Sequence, residues 1–404
     1  MGVEVRAGMF GSRIDLQRTR AGRDHHRVTF IELFFDLVFV FAVTQLSHAL
    51  LKHLTLMGAV EAGLLFLAVW WVWIFTCWIT NWLDPERTAV RLLLIALMLV
   101  GLLLTTSLPD AFGEKGLLFA GAFVSMQVGR SLFALWALRR HNKRNYDNFL
   151  RITAWLSASA IFWIAGGLLE DGARLVLWAI AVAIEFAAPS LGFWTPGLGR
   201  SATTDWEVEG GHMAERCALF VIIALGESIL VTGATFAELP MSGAVLAAFG
   251  AAFLASVAMW WIYFDAAAER ASRRIASSDD PGRLARLAYT YFHLPLVAGV
   301  VVTAVGDELA LSHPLGHVDV KTALVLLGGP ALYLAGDMLF RSATVKAPRS
   351  HVGGLLALVL LAPAAGAMTP MTLSLATSAV LVAVAGSETW RNRRGPRRAE
   401  ASVP

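Results

Sequence analysis

Charge is scarce in this chain. Only 16% of its 404 residues are Asp, Glu, Lys or Arg, and only two are cysteine. A soluble domain carries nearer one quarter charged residues, so this chain is too poor in charge to be bathed in water on all sides. Cys77 and Cys217 each lie inside an apolar run. That excludes a disulfide framework and leaves a four-ligand zinc site short of donors. No nucleophile motif, metal-ligand cluster or nucleotide-binding loop stands out, so the residues call for no cofactor and give an enzyme no direct support.

Apolar surface, by contrast, is abundant. Hydrophobic residues make up 57% of the chain, with 14 Trp and 35 Gly, and the mean hydropathy is +0.62. Trp and Gly are both common in membrane helices and at their ends. The fold class is therefore an all-α polytopic membrane protein, and the length allows about twelve spans of about 20 residues. Apolar runs cover 29–51, 59–80, 89–108, 117–138, 149–169 and 174–193. Further runs cover 213–236, 242–266, 286–309, 322–340, 352–368 and 371–388. The first is long and carries acidic residues, so it reads as a retained helix rather than a signal peptide.

The basic residues sort by loop. Of the 33 Lys and Arg, 27 fall in the N-terminal segment, alternate loops and the tail, and four (Lys52, Lys115, Arg174, Lys321) fall opposite. Arg130 and Arg216 lie within spans. This asymmetry predicts both termini in the cytoplasm. It also argues against nucleic acid as a partner, since the basic residues form no single surface. Membrane lipid is the expected contact, and the tail 389–404 is drawn to its anionic headgroups.

An offset of 183 residues aligns Glu32 with Glu215, Trp78-Ile79 with Trp261-Ile262, and Glu86-Arg87 with Glu269-Arg270. Gly129-Arg130-Ser131-Leu132-Phe133 similarly matches Gly336-Asp337-Met338-Leu339-Phe340. The expected organisation is a basic segment 1–28, six-helix repeats over 29–199 and 200–388, and the tail. Two repeats of six spans share orientation, an arrangement that transporters use with the substrate path between halves.

An ionisable residue within a span costs about 2.5–3.5 kcal/mol on insertion scales, so each needs a reason. In the first span Glu32, Asp36, Thr44 and His48 are separated by multiples of four, which makes one slowly drifting polar stripe. Such a stripe serves as an ion or proton path, or as a polar clamp on a neighbouring helix. In the seventh span His212, Arg216 and Glu227 fall within about 60° around an ideal helix. Glu215-Arg216 reads as a possible interfacial pair, and His212 with Glu215 has the spacing of only two metal ligands, too few for a metal site. Glu227 lies past the midplane beside Gly226 and is the leading functional candidate. Arg130 and Glu185, also mid-span, are candidate charge partners for the carboxylates of helices 1 and 7.

Asp265, Asp337, Glu388 and Glu61 read as interfacial. His293 precedes Pro295, where a missing amide donor frees a carbonyl and bends the span. The runs Trp70-Trp71-Val72-Trp73 and Trp260-Trp261-Ile262-Tyr263 either line a cavity or pack against lipid and protein.

The stretch Arg27-Val-Thr-Phe-Ile-Glu32-Leu-Phe-Phe-Asp36-Leu-Val-Phe-Val-Phe-Ala-Val-Thr44-Gln45-Leu46-Ser47 resembles the opening signature of the bacterial low temperature requirement protein A family. So do Glu215-Arg216 and Leu225-Gly226-Glu227-Ser228. That resemblance implies an integral membrane protein linked by name to growth in the cold, without a defined molecular activity. The pattern Glu32, Phe34, Asp36, Val38, Phe39, Ala42, Thr44, Leu46 is similar to the first-helix motif of the endolysosomal potassium/proton channel family with the Phe-Ser-Asp signature. That similarity implies six-helix repeats whose first helices line a pore. Here Phe35 replaces the Ser, and Leu219 stands where the second repeat would carry the Asp.

The expectation is a transporter or channel for a cation or a proton-coupled small solute, with helices 1 and 7 along the path. The alternatives are an acid–base enzyme acting on a lipid-like substrate and a non-catalytic membrane subunit of the cold response.

Overall fold

The computed structural model describes residues 15–18, 27–203, 206, 208–265, 278, 280–344 and 348–400. Most of the basic segment 1–28 and the Glu269-Arg270 match lie outside them. The described chain is a succession of long helices: α1 Phe30–Lys52, α2 Leu56–Trp82, α3 Thr88–Ser107, α4 Gly116–Leu138, α5 Lys143–Leu168 and α6 Asp171–Ala187. Then come α7 Gly210–Glu238, α8 Gly243–Phe264, α9 Pro281–Ser312, α10 Val320–Thr344, α11 Arg349–Leu361 and α12 Pro370–Glu400. Among the described residues no strand forms beyond two isolated bridges, Gln17 with Leu83 and Thr195 with Gly199.

Eleven of these helices are long and apolar enough to cross a membrane, and the chain is a polytopic all-α membrane protein. The exception is α6. The apolar run reaches 193, yet the helix stops at Ala187 after 17 residues, about 26 Å at 1.5 Å per residue. Pro189 has no amide proton with which to continue the helical bonding. Gly192 and Phe193 then take positive φ values of 63° and 47°. A side chain at Gly192 would meet the Ser201 carbonyl at 2.8 Å, so the turn needs glycine there.

Caps fix several helix starts. Asn142 accepts from the Asn145 amide at 3.0 Å, Ser242 from Val245 at 3.2 Å, and Asp319 from Thr322 at 2.8 Å. Each satisfies a backbone donor that no helical carbonyl can reach. Large apolar side chains such as Leu99, Leu230, Val359 and Leu360 stay exposed, as hydrocarbon-facing positions do and as a water-facing surface rarely does.

Two compact units divide the chain, one of residues 1–45 and 60–213, the other of 46–59 and 214–404. In the first, α4 packs on α3 and α5, and α5 on α6. Trp163 anchors that packing, 4.3 Å from the Phe123 ring and 5.5 Å from Trp178. In the second, α9 packs on α10, α8 on α12, and α11 touches both α10 and α12. The backbones of α9 and α10 approach through Gly299, Gly329 and Gly336, whose missing side chains would strike backbone atoms of Tyr333, Thr303 and Leu296.

Helix α9 is not uniform. Residues Arg286–Phe292 are wound as a π-helix immediately before His293. Pro295 lacks an amide proton for the carbonyl four residues back and crowds it, so the preceding turn widens instead of bonding normally. His293 Nδ1 meets the Ala288 carbonyl, inside the π-helical turn, at 2.8 Å.

Candidate functional site

Burial picks out three groups of polar side chains. The first gathers around Glu32 in the first turn of α1. Its carboxylate is fully buried, with Oε1 2.8 Å from His212 Nε2 and Oε2 3.2 Å from Arg18 Nη2. The Thr29 amide and hydroxyl both donate to Oε2 at 2.9 Å. Arg18 also donates from Nε to the Thr80 carbonyl at 2.6 Å. The Asn81 amide fixes the imidazole. Its Oδ1 accepts from the Glu209 amide at 3.0 Å and its Nδ2 donates to the Glu209 carbonyl at 2.9 Å. The same Nδ2 faces His212 Nδ1 at 3.3 Å, and Arg18 Nη2 faces His212 Nε2 at 3.1 Å. The guanidinium and the carboxylate offset each other beside the imidazole, as buried charge requires.

Further along α1 the stripe spreads into different environments. Asp36 is fully buried and accepts from Trp73 Nε1 at 2.8 Å. Thr44 is half-buried and bonds back to the Val40 carbonyl at 3.1 Å. His48 is exposed. The drift of an ideal helix explains the spread, since four residues turn about 400° rather than a full number of turns.

The second group lies inside the first unit and joins Arg130 to Glu185. Arg130 donates to the Val72 carbonyl at 3.0 Å, to Thr76 Oγ1 at 2.8 Å, and to the Gln127 side-chain carbonyl. Gln127 in turn donates to Glu185 at 2.9 Å. Ser159 and Trp163 complete the carboxylate with bonds of 2.6 and 2.9 Å. The expected mid-span cation and anion thus serve each other through one neutral amide, and among the described residues neither bonds to Glu32 or Asp36 of α1. Gln127, Ser159 and Trp163 carry no formal charge, which is why a search for ionisable residues passes over them.

The third group is the pair of isolated carboxylates in the second unit. Glu227 is 5% exposed and has no hydrogen-bond or ion-pair partner among the described residues. Gly226 beside it has open space around its α-carbon. Asp307 in α9 is equally buried, and its Oδ2 has no hydrogen-bond partner. Asp307 was legible only as an acidic residue near the end of a span. On α7, Arg216 is buried while Glu215 is exposed.

The aromatic runs part company. Trp70, Trp71 and Trp73 are buried, and Trp71 stacks on Phe186 at 4.0 Å. Trp260 and Trp261 are exposed, whereas Tyr263 is buried with its hydroxyl 2.8 Å from His293 Nε2. Trp261 borders an apolar cavity of about 440 Å³ between α8 and α12. Asp337 and Glu388, read from sequence as interfacial, are buried. Arg174, counted among the loop charges, is buried too and donates to the carbonyls of Gly166, Leu169, Ala111 and Gly113. It closes the orphan carbonyls at the end of α5. Among the described residues no three His, Cys, Asp or Glu side chains gather as metal ligands would.

Comparison with known proteins adds to this geometry. The family model described as bacterial low temperature requirement A protein matches residues 27–386. The chain is also similar to an uncharacterized protein of Rhizobium meliloti (strain 1021), 46% identical over 336 residues, covering 82% of this chain and 81% of the relative. No solved structure matches.

Proposed function

The chain belongs to the bacterial low temperature requirement A family, and from that premise we propose that it moves a cation or a proton-coupled small solute across the bacterial plasma membrane. One observation carries the reading: Glu227 sits buried in a membrane-spanning helix with no partner among the described residues. A carboxylate so placed is costly as an anion, and a bound cation or proton relieves the cost. Glu227 is therefore the ion-binding carboxylate. The balanced Glu32–His212–Arg18 group on α1 and the start of α7 is the protonatable element of the same function. An intact duplication fits this role. The neighbour order α3–α4–α5–α6 in the first unit parallels α9–α10–α11–α12 in the second. Trp71 with Phe186 ties α2 to α6, as Trp261 with Thr389 ties α8 to α12.

Flux in proteoliposomes tests the proposal. Purified full-length protein is compared with Glu227→Gln, reading proton and alkali-cation movement with entrapped dyes. Loss of most of the flux in Glu227→Gln, with recovery in Glu227→Asp, supports the reading. Equal flux in wild type and Glu227→Gln, or no flux above empty vesicles, overturns it.

A further inference from the structure

The second unit holds a connected chain of proton-carrying groups that the ion-binding role of Glu227 does not use. It joins the end of α10, the start of α11 and the end of α12. Asp337 Oδ2 lies 2.6 Å from His351 Nε2. His351 Nδ1 lies 3.3 Å from Ser350 Oγ, and Ser350 donates to Glu388 Oε1. Asp337 and His351 are fully buried, while Glu388 keeps a little exposure. Carboxylate, imidazole, hydroxyl and carboxylate thus succeed one another without a gap.

When Ser350 gives its single hydrogen to Glu388, His351 Nδ1 is the donor to Ser350. At 2.6 Å the contact between Nε2 and Oδ2 must also hold a proton, because two lone pairs would repel there. In that state the group holds one proton more than a neutral imidazole beside a carboxylate. Arg341 sets the local charge. Its Nε is 2.5 Å from Asp337 Oδ2, its Nη1 is 3.3 Å from Glu388 Oε2, and its Nη2 donates to the Ile262 carbonyl. Arg391 stands 3.9 Å from Glu388 Oε1. From α8, α9 and α10 the titratable neighbours are Tyr263, His293 and Tyr333; Tyr263 bonds to His293, and Tyr333 donates to the Met259 carbonyl. Asp337 Oδ1, buried without a partner, leaves this carboxylate able to accept more.

We propose that His351, Ser350 and Glu388 form a proton relay between the buried imidazole and the end of α12, with the Asp337 carboxylate positioning the imidazole through Nε2. In the transfer step the Nδ1 proton of the His351 imidazolium passes to Ser350 Oγ as the Ser350 proton passes to Glu388 Oε1. One N–H bond and one O–H bond break, and two O–H bonds form. What remains is a neutral imidazole still donating from Nε2 to the Asp337 carboxylate, and a protonated Glu388. Release from Glu388, rotation of the Ser350 hydroxyl and return of a proton to His351 Nδ1 along the same path reset the chain. The relay is independent of Glu227, so it stands even if the cation reading fails.

Ser350 separates a relay from a plain ionic staple, since removing its hydroxyl leaves every charge in place. The full-length protein in detergent is given a light-triggered pH jump, and protonated carboxyl groups are followed by time-resolved infrared spectroscopy. The Glu388 signal is the one abolished in Glu388→Gln. Ser350→Ala should slow its appearance by at least about tenfold, with melting temperature little changed, and Ser350→Thr should restore the rate. An equal rate in Ser350→Ala, or no signal that depends on Glu388, overturns the relay. Nitrogen NMR of wild-type protein labelled at histidine gives a test free of variants. His351 should keep Nε2 protonated while Nδ1 titrates, and a permanently unprotonated Nε2 is incompatible with the proposal.

Discussion

Glu32 and His212 stand 180 positions apart in sequence and 2.8 Å apart in space, both without solvent exposure. Arg18, from the segment before α1, closes the same group. The first turn of α1 is therefore held by a hydrogen-bonded ion pair, with the imidazole braced from behind by Asn81.

Removing one member leaves the others buried and uncompensated. Glu32→Ala should lower the stability of the first unit by about 3–5 kcal/mol. His212→Ala alone should cost less than that, because Arg18 still neutralises Glu32. Thermal unfolding of both single variants and the double variant checks this. A double variant no worse than Glu32→Ala shows the coupling, whereas strictly additive losses would refute it.

Gln127 is the only link between the guanidinium of Arg130 and the carboxylate of Glu185 that these bonds provide. Its two ends are not interchangeable, since the carbonyl must face the cation and the amide the anion. Gln127→Leu should destabilise by about 2–4 kcal/mol through two groups left partly unsatisfied. A denaturation midpoint equal to wild type would mean that the amide is dispensable.

Neighbouring glycines of α10 should respond in opposite ways. A side chain at Gly329 would lie 2.6 Å from the Thr303 backbone nitrogen, while Gly328 has open space. Gly329→Ala should force α9 and α10 apart and destabilise by more than about 1–3 kcal/mol. Gly328→Ala should be neutral, or gain up to about 1 kcal/mol from helix propensity. Thermal stability in detergent, measured side by side, decides the matter.

Asp319, in the short connection before α10, caps that helix. Hydrogen bonds from the Thr322 side chain and amide hold its carboxyl below the usual carboxylate range. A depressed folded value means the stabilisation is present above the unfolded pKa of about 3.9 and lost as pH falls through the folded value. Asp319→Ala should cost about 1 kcal/mol at neutral pH. The gap from wild type should close in acid, and a gap that widens there contradicts the assignment.

Much of the fold was legible because hydrocarbon imposes a simple rule: about 20 apolar residues per crossing, with every backbone group bonded within its helix. Individual sites were legible to different depths. The four-residue spacing from Glu32 to Asp36 marked a polar stripe, but neither Trp73 nor His212 could be assigned to it without coordinates. Asp337 and Glu388 looked interfacial by position. Burial came from three helix ends meeting, which no single-segment pattern encodes. Arg174 shows the converse, a loop charge by count that folds inward to close the carbonyls at the end of α5.

The sequence by itself determined the solvent of this protein, the number and approximate extent of its helices, and which carboxylates are costly to bury. Those properties follow from composition and local spacing, which act within one segment. Only the tertiary structure decided that Glu32 finds His212, that Gln127 joins Arg130 to Glu185, and that Glu227 finds no partner among the described residues. Each depends on which helices lie side by side, and that is fixed by contacts between residues distant in the chain. In a low-dielectric interior, those contacts determine whether a buried charge is a clamp or a site for an ion.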